Sequence, residues 1–216
     1  MIELAEMRVL IVDDIDNMIK SIRGMLKVLH YGKKFQYANN GLDAYNLLKK
    51  NDFDLAIIDW NMPIMKGVEL LGHIREDKRM RDLPVIMVTA ENNRAIVAEA
   101  AESDIDAYLL KPLTVKSLDD RIRSVIEKAN NPPPMVVHLR RAREYGEAGD
   151  FGSAIANARM AMDIDPYSSK PIREMGHLYF QKNDLEEAER WFLKAAKMND
   201  LDVFAFHYLE IGRAHV

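Results

Sequence analysis

Asp13, Asp14, Asp59, Thr89 and Lys111 are the residues of this sequence whose types and spacing could do chemistry. Each sits at the end of a short apolar run. The aspartate pair follows "RVLIV" (8–12), Asp59 closes "DLAIID" (54–59), Thr89 falls near the end of "LPVIMVTA" (83–90), and Lys111 falls near the end of "DAYLLKP" (106–112). Three carboxylates gathered in one place would repel and raise each other's pKa. A hard divalent cation removes that conflict, and magnesium favours oxygen ligands while keeping waters or phosphate oxygens in its shell. A hydroxyl from Thr89 and an ammonium from Lys111, which can meet a phosphate oxygen, complete the set. A carboxylate nucleophile with metal ligands, a hydroxyl and an ammonium can receive a phosphoryl group. Asp59 is the natural nucleophile, with the aspartate pair on one side and threonine and lysine on the other.

The elements that must position these residues follow from periodicity. The apolar runs at 8–12, 54–59, 83–90 and 106–112 read as strands, and "KFQYAN" (34–39) as a weaker one. Between them the apolar residues recur at helical spacing, as in Met18, Ile22, Met25, Leu26 and Leu29. Helices are expected there, over Gly41 to Lys50, around Val68 to Ile74, over 94–102 and over 115–129. Five β/α units with continuous apolar strands imply a doubly wound parallel sheet covered on both faces. In such a sheet the carboxyl ends of strands one and three lie side by side at the switch in strand order, where ligands bind.

"NNPPPM" (130–135) stops the last of these helices, because three prolines cannot continue it. It sets an expected boundary: one domain over 1–130, a proline-rich linker over 131–135, and an all-α domain over 136–216. In the second domain "GDFGSAIANARMAMDIDP" (149–166) overlays "NDLEEAERWFLKAAKMND" (183–200) at an offset of 34 residues. That period resembles the tetratricopeptide repeat. One repeat starts at Met135 and a second at Ser169, with Met175, Gly176 and Tyr179 in the usual Leu-Gly…Tyr places. Ala142 stands where the first repeat would carry the close-packing glycine. From Val203, "FAFHYLEIG" resembles the first helix of a third repeat.

Composition narrows the function classes. The chain has 216 residues, 48% of them hydrophobic, and a net charge of −4. Both halves carry about equal negative balances, so neither offers the basic surface expected of a nucleic-acid binder. No apolar run reaches bilayer length, and the acidic start "MIELAE" does not read as a signal peptide. The absence of cysteine excludes disulfides and thiolate sites and fits a cytoplasmic protein. The six histidines lack metal-ligand spacing, and the 13 methionines are expected mainly as core filling.

Taken in order, the pair at 13–14, "DWNMP" with Gly67, "VTA" at 88–90 and "KP" at 111–112 resemble the receiver domain of two-component response regulators over about residues 6 to 128. Chemotaxis single-domain receivers are the nearest in motif. The resemblance implies a flavodoxin-like sheet of strand order 2-1-3-4-5 and Asp59 as phosphoacceptor. Mg²⁺ would be held by Asp13 or Asp14 with Asp59 and by the main-chain carbonyl of Asn61. It makes Thr89 and Tyr108 a switch pair, Lys111 the partner of the phosphoryl group, and its bond to Pro112 cis. Asn61 and Glu91 would flank the site and tune autodephosphorylation. The switch would remodel the face built from the helices at 94–102 and 115–129 and the strand between them. Asp104 stands where such receivers often have glycine.

The implied partners are a sensor histidine kinase and a protein bound by the repeats, with a phosphorylation-dependent homodimer as one arrangement; no effector enzyme is expected. Each residue alone also has a structural use: Asp13 as a helix N-cap, Thr89 as a strand-end hydroxyl, Tyr108 as packing. The alternative function is a constitutive scaffold whose receiver does not act as a switch.

Overall fold

A computed structural model describes residues 1–90 and 105–198. The helix expected over 94–102, Glu91, Asp104 and the helix expected from Val203 lie outside the described residues. The chain separates into two compact units, Met1–Asn131 and Pro132–Val216.

The first unit holds five parallel strands: β1 (Arg8–Val12), β2 (Lys34–Ala38), β3 (Leu55–Asp59), β4 (Val85–Thr89) and β5 (Ala107–Leu110), in the order β2-β1-β3-β4-β5. Helices α1 (Asp16–Val28), α2 (Gly41–Lys50), α3 (Gly67–Glu76) and α4 (Val115–Asn130) cover it. Strands β3 and β4 are buried at every residue, as continuous apolar runs in a two-sided sheet must be. Strand β2 lies at an edge and exposes Lys34 and Tyr37, which is why its apolar signal was weak.

Alternation along the strands feeds two cores. Val9, Ile11, Ile57, Ile86 and Val88 point to one face, with Ile22 and Leu26 of α1 and Leu118 and Ile122 of α4. Leu10, Val12, Ala56, Ile58 and Met87 point to the other, with Leu48 of α2 and Leu70, Leu71 and Ile74 of α3. Two caps fix where helices begin. The Asn40 side chain accepts from the Asp43 N–H, and Thr114 and Ser117 form a capping box. Arg75, at the end of α3, donates 2.8 Å hydrogen bonds to the carbonyls of Arg81 and Leu83 and pairs with Asp106 at 2.9 Å. This fork fixes the chain entering β4 and β5.

The second unit contains α5 (Pro134–Glu147), α6 (Phe151–Ile164), α7 (Ser169–Gln181) and α8 (Leu185–Met198). The connector expected over 131–135 is shorter than the prolines suggest, because Pro134 is already the first residue of α5. Proline fits the opening turn, since its missing N–H would have no helical partner there. The 34-residue offset extends to the backbone. Gly149 and Asn183 occupy the same turn with φ of 79° and 64°, followed by Asp150 and Asp184, each with a side-chain oxygen accepting an N–H three residues on. A Cβ on Gly176 would lie 2.7 Å from the Phe192 ring. In the first repeat the equivalent pair is Ala142 and Ala158, both fully buried. The repeats thus exchange volume between facing positions, glycine under phenylalanine in one and alanine with alanine in the other. Gly146 is a second close approach, 2.6 Å from Leu178 for an added Cβ.

Candidate functional site

The carboxyl ends of β1, β3, β4 and β5 bring Asp13, Asp59, Thr89 and Lys111 to one pole of the sheet. Register fixes this. Val12 pairs with Ile58, Asp59 with Val88, and Thr89 with Leu110. The residue after each strand therefore arrives at nearly the same height.

The centre of the site is one ammonium between two carboxylates. Lys111 Nζ lies 3.0 Å from Asp13 Oδ2 and 2.5 Å from Asp59 Oδ1. Asp13 and Asp59 are only 1% and 5% exposed, so both charges are largely out of water. Asp13 Oδ1 accepts the Ile15 N–H at 2.9 Å, and Asp59 Oδ2 accepts the Asn61 N–H at 3.1 Å. Asp13 is thus not the N-cap of α1, which is Ile15, although it does hold the turn before that helix.

Burial pushes the Asp59 carboxyl above the usual aspartate value; Lys111 pulls it back without cancelling the effect, and the Asp13 charge adds to the rise. Burial by itself would lower the Lys111 pKa, but the hydrogen bonds and charges of Asp59 and Asp13 outweigh it and raise the value. A buried carboxylate of raised basicity beside a firmly charged ammonium suits attack on an electron-poor phosphorus.

Asp14 is exposed, unlike its neighbour. The three-carboxylate gathering expected from the sequence is not formed, and no group of three His, Cys, Asp or Glu side chains able to hold a metal occurs among the described residues. Adjacent residues leaving a strand point to opposite sides, so only one of the pair turns inward. The donor set still fits a hard cation. Two buried carboxylates already share one positive group, and the neighbouring oxygen donors are the kind magnesium takes.

Thr89 is 3% exposed, and its carbonyl accepts the Lys111 N–H at 2.8 Å. Asn61 is exposed at the mouth. Tyr108 is half-buried against the core that includes Met87, with the Arg121 guanidinium 5.9 Å from its ring centre. The Lys111–Pro112 bond is cis. Glu91 lies outside the described residues.

Sequence reasoning missed the shape of the loop after Asp59. Gly67 N–H donates to the Trp60 carbonyl at 3.0 Å, and a Cβ on Gly67 would lie 2.1 Å from the Asp59 carbonyl oxygen. Gly41 N–H meets the Met65 carbonyl at 3.2 Å, with an added Cβ at 2.6 Å. In the sequence Gly67 stands only as part of a motif; close backbone approach is the reason for it. Ile64, on the same loop, is 77% exposed and has φ of 71°, where a β-branched residue is strained.

Comparisons with known proteins agree with this fold. Residues 9–123 match the family model of the response regulator receiver domain, and residues 174–200 match that of the tetratricopeptide repeat. The chemotaxis protein CheY-3 of Vibrio cholerae is 40% identical over 122 residues, 56% of this chain and 93% of that protein. The chemotaxis protein CheY of Pseudomonas aeruginosa is 39% identical over 124 residues, 57% of this chain and 99% of that protein. Among solved structures, the chemotaxis response regulator CheY4 of Vibrio cholerae superposes with a TM-score of 0.51 at 27% identity, covering 56% of this chain and 98% of that one. The receiver domain of Francisella response regulator 1452 gives 0.50 at 29% identity, covering 57% and 98%.

Proposed function

The chain belongs to the response regulator receiver family through residues 9–123, and on that footing we propose that Asp59 accepts a phosphoryl group and that the helical repeats carry the output by binding protein. The observation that carries this reading is the Asp13–Lys111–Asp59 bridge at the sheet's carboxyl pole.

In the proposed reaction an oxygen of Asp59 forms a bond to phosphorus. The P–N bond of a phosphoimidazole on a histidine kinase breaks, and its electron pair stays on the ring nitrogen. Lys111 exchanges its contact with Asp59 for a phosphoryl oxygen while keeping Asp13. The Asn61 N–H holds the second Asp59 oxygen, so the attacking oxygen is presented in one orientation. Asp13, Asp59 and the Asn61 carbonyl, with Asp14 acting through water, would hold Mg²⁺, which supplies charge compensation for the transferred group. Thr89, one residue beyond the Asp59 register on β4, then donates its hydroxyl to the phosphoryl group. Tyr108 repacks in response, so the charge change biases a two-state face. Asn61 and Glu91 set the lifetime of the phosphorylated state. No described helix is long and apolar enough to cross a membrane.

The test is hydroxylamine- and base-labile labelling by acetyl phosphate with Mg²⁺, followed by Trp60 fluorescence with beryllofluoride. Labelling of the wild type and none of Asp59→Asn is expected. Persistent labelling of Asp59→Asn would show the nucleophile to be another residue. No labelling and no fluorescence change in the wild type would favour a constitutive scaffold.

A further inference from the structure

Helix α6 exposes an apolar stripe on the side away from its core. Ala154, Ala158 and Ala161 are buried, while Gly152, Ala156, Met160 and Ile164, spaced by four, are exposed on the opposite side. Met160 is 50% exposed and Ile164 47%. Tyr167, 92% exposed, follows just past the helix end. The second repeat treats three of these positions differently and keeps the fourth apolar, with exposed Met198 in place of Ile164. At the 34-residue offset, Gly152, Ala156 and Met160 become Glu186, Arg190 and Lys194, all exposed. The fold therefore does not require apolar residues at those three positions, and an exposed apolar stripe along a helix is one that something covers.

We propose that the cover is a second copy of this chain, with two α6 helices packed antiparallel across a two-fold axis near Met160. Two properties of the stripe favour a copy of itself. The first is shape. The stripe is small at its N-terminal end, with Gly152 and Ala156, and large at its C-terminal end, with Ile164 and Tyr167. Antiparallel pairing about Met160 sets each small end against a large one, Ala156 against Ile164, with the two methionines meeting at the centre.

The second is charge. Arg159 and Asp163 are exposed at the edge of the stripe, and neither has an ion-pair partner among the described residues. In an antiparallel two-fold pair the same edges meet. Each Arg159 then lies about two residues, or ~3 Å along the axis, from the copy's Asp163. Two reciprocal ion pairs thus close the rim of a small apolar centre, the layout of a self-complementary interface. This association does not depend on the phosphoryl chemistry proposed above.

Analytical ultracentrifugation of the full chain, with Asp59→Asn in parallel, tests it. A dimer of equal strength in both is expected. Ala156→Arg with Met160→Lys copies the residues that the second repeat carries at these positions, so the helix should fold with an unchanged circular dichroism spectrum. It should weaken the dimer by about tenfold or more. Arg159→Asp should weaken it, and adding Asp163→Arg should restore it. A monomeric wild type would overturn the proposal and leave the stripe to a different partner. So would a dimer indifferent to the Ala156/Met160 change, or a charge reversal that the second substitution does not rescue.

Discussion

At the scale of single residues, the site depends on placing a charge where water cannot reach it. Asp59 has a raised pKa because it is buried, so the folded chain holds its proton more tightly than the unfolded chain does. The sign follows directly. Stability contributed by the protonated form is present at low pH and is lost as pH rises through the raised folded value. Asp59→Asn should therefore melt higher than the wild type at neutral pH, and the difference should shrink on acidification; a melting series from pH 4 to 8 reads this. Gly67→Ala should slow labelling, because its methyl group meets the Asp59 main-chain carbonyl and shifts the strand end that carries the carboxylate. The cost in stability should be about 1–3 kcal/mol, measured by urea unfolding. Ile64→Gly should do the reverse and stabilise the fold by about 1 kcal/mol, since it relieves a left-handed β-branched residue.

At the scale of elements, strands and helices meet through a few specific contacts that their own periodicity does not reveal. The strands were legible because a buried parallel strand is a continuous apolar run, and β1, β3 and β4 are little else. The order of strands and the pole of the site followed from that and from the family resemblance. Arg75 was not legible. In the sequence it is one more basic residue at a helix end, yet its fork satisfies two carbonyls before β4. Arg75→Ala should cost about 2–3 kcal/mol by leaving them unpaired, and Arg75→Lys should recover only part of it, because one guanidinium nitrogen meets both carbonyls while a second holds Asp106, and an ammonium lacks that second nitrogen. Pro134 shows a related limit: proline ends a helix when it follows one and opens a helix when it leads, and here it does the second. In the repeats, Gly176→Ala should destabilise strongly in the presence of Phe192 and weakly with Phe192→Leu. That coupling, measured by a double-mutant cycle, would expose the exchange of volume between the facing positions.

At the scale of the whole molecule, two units with separate cores imply two cooperative transitions. Beryllofluoride with Mg²⁺ should raise the calorimetric transition of the first unit and leave that of the second in place, because a ligand stabilises only the unit that binds it. A shift of both together would show that the units unfold as one. The period of 34 residues was legible from end to end of the overlay, but what it exposes was not. The stripe on α6 appears only when burial tells an inward alanine from an outward one. The bridge at the site has a consequence in time as well as in space. Lys111 reaches Asp13 across 98 positions of chain, and Asp59 lies between them. During synthesis on a ribosome, Asp59 emerges long before its lysine does. Under the proposed chemistry a half-made chain has its acceptor without the lysine that steadies the transferred group, so only chains finished beyond β5 can be addressed by the signal.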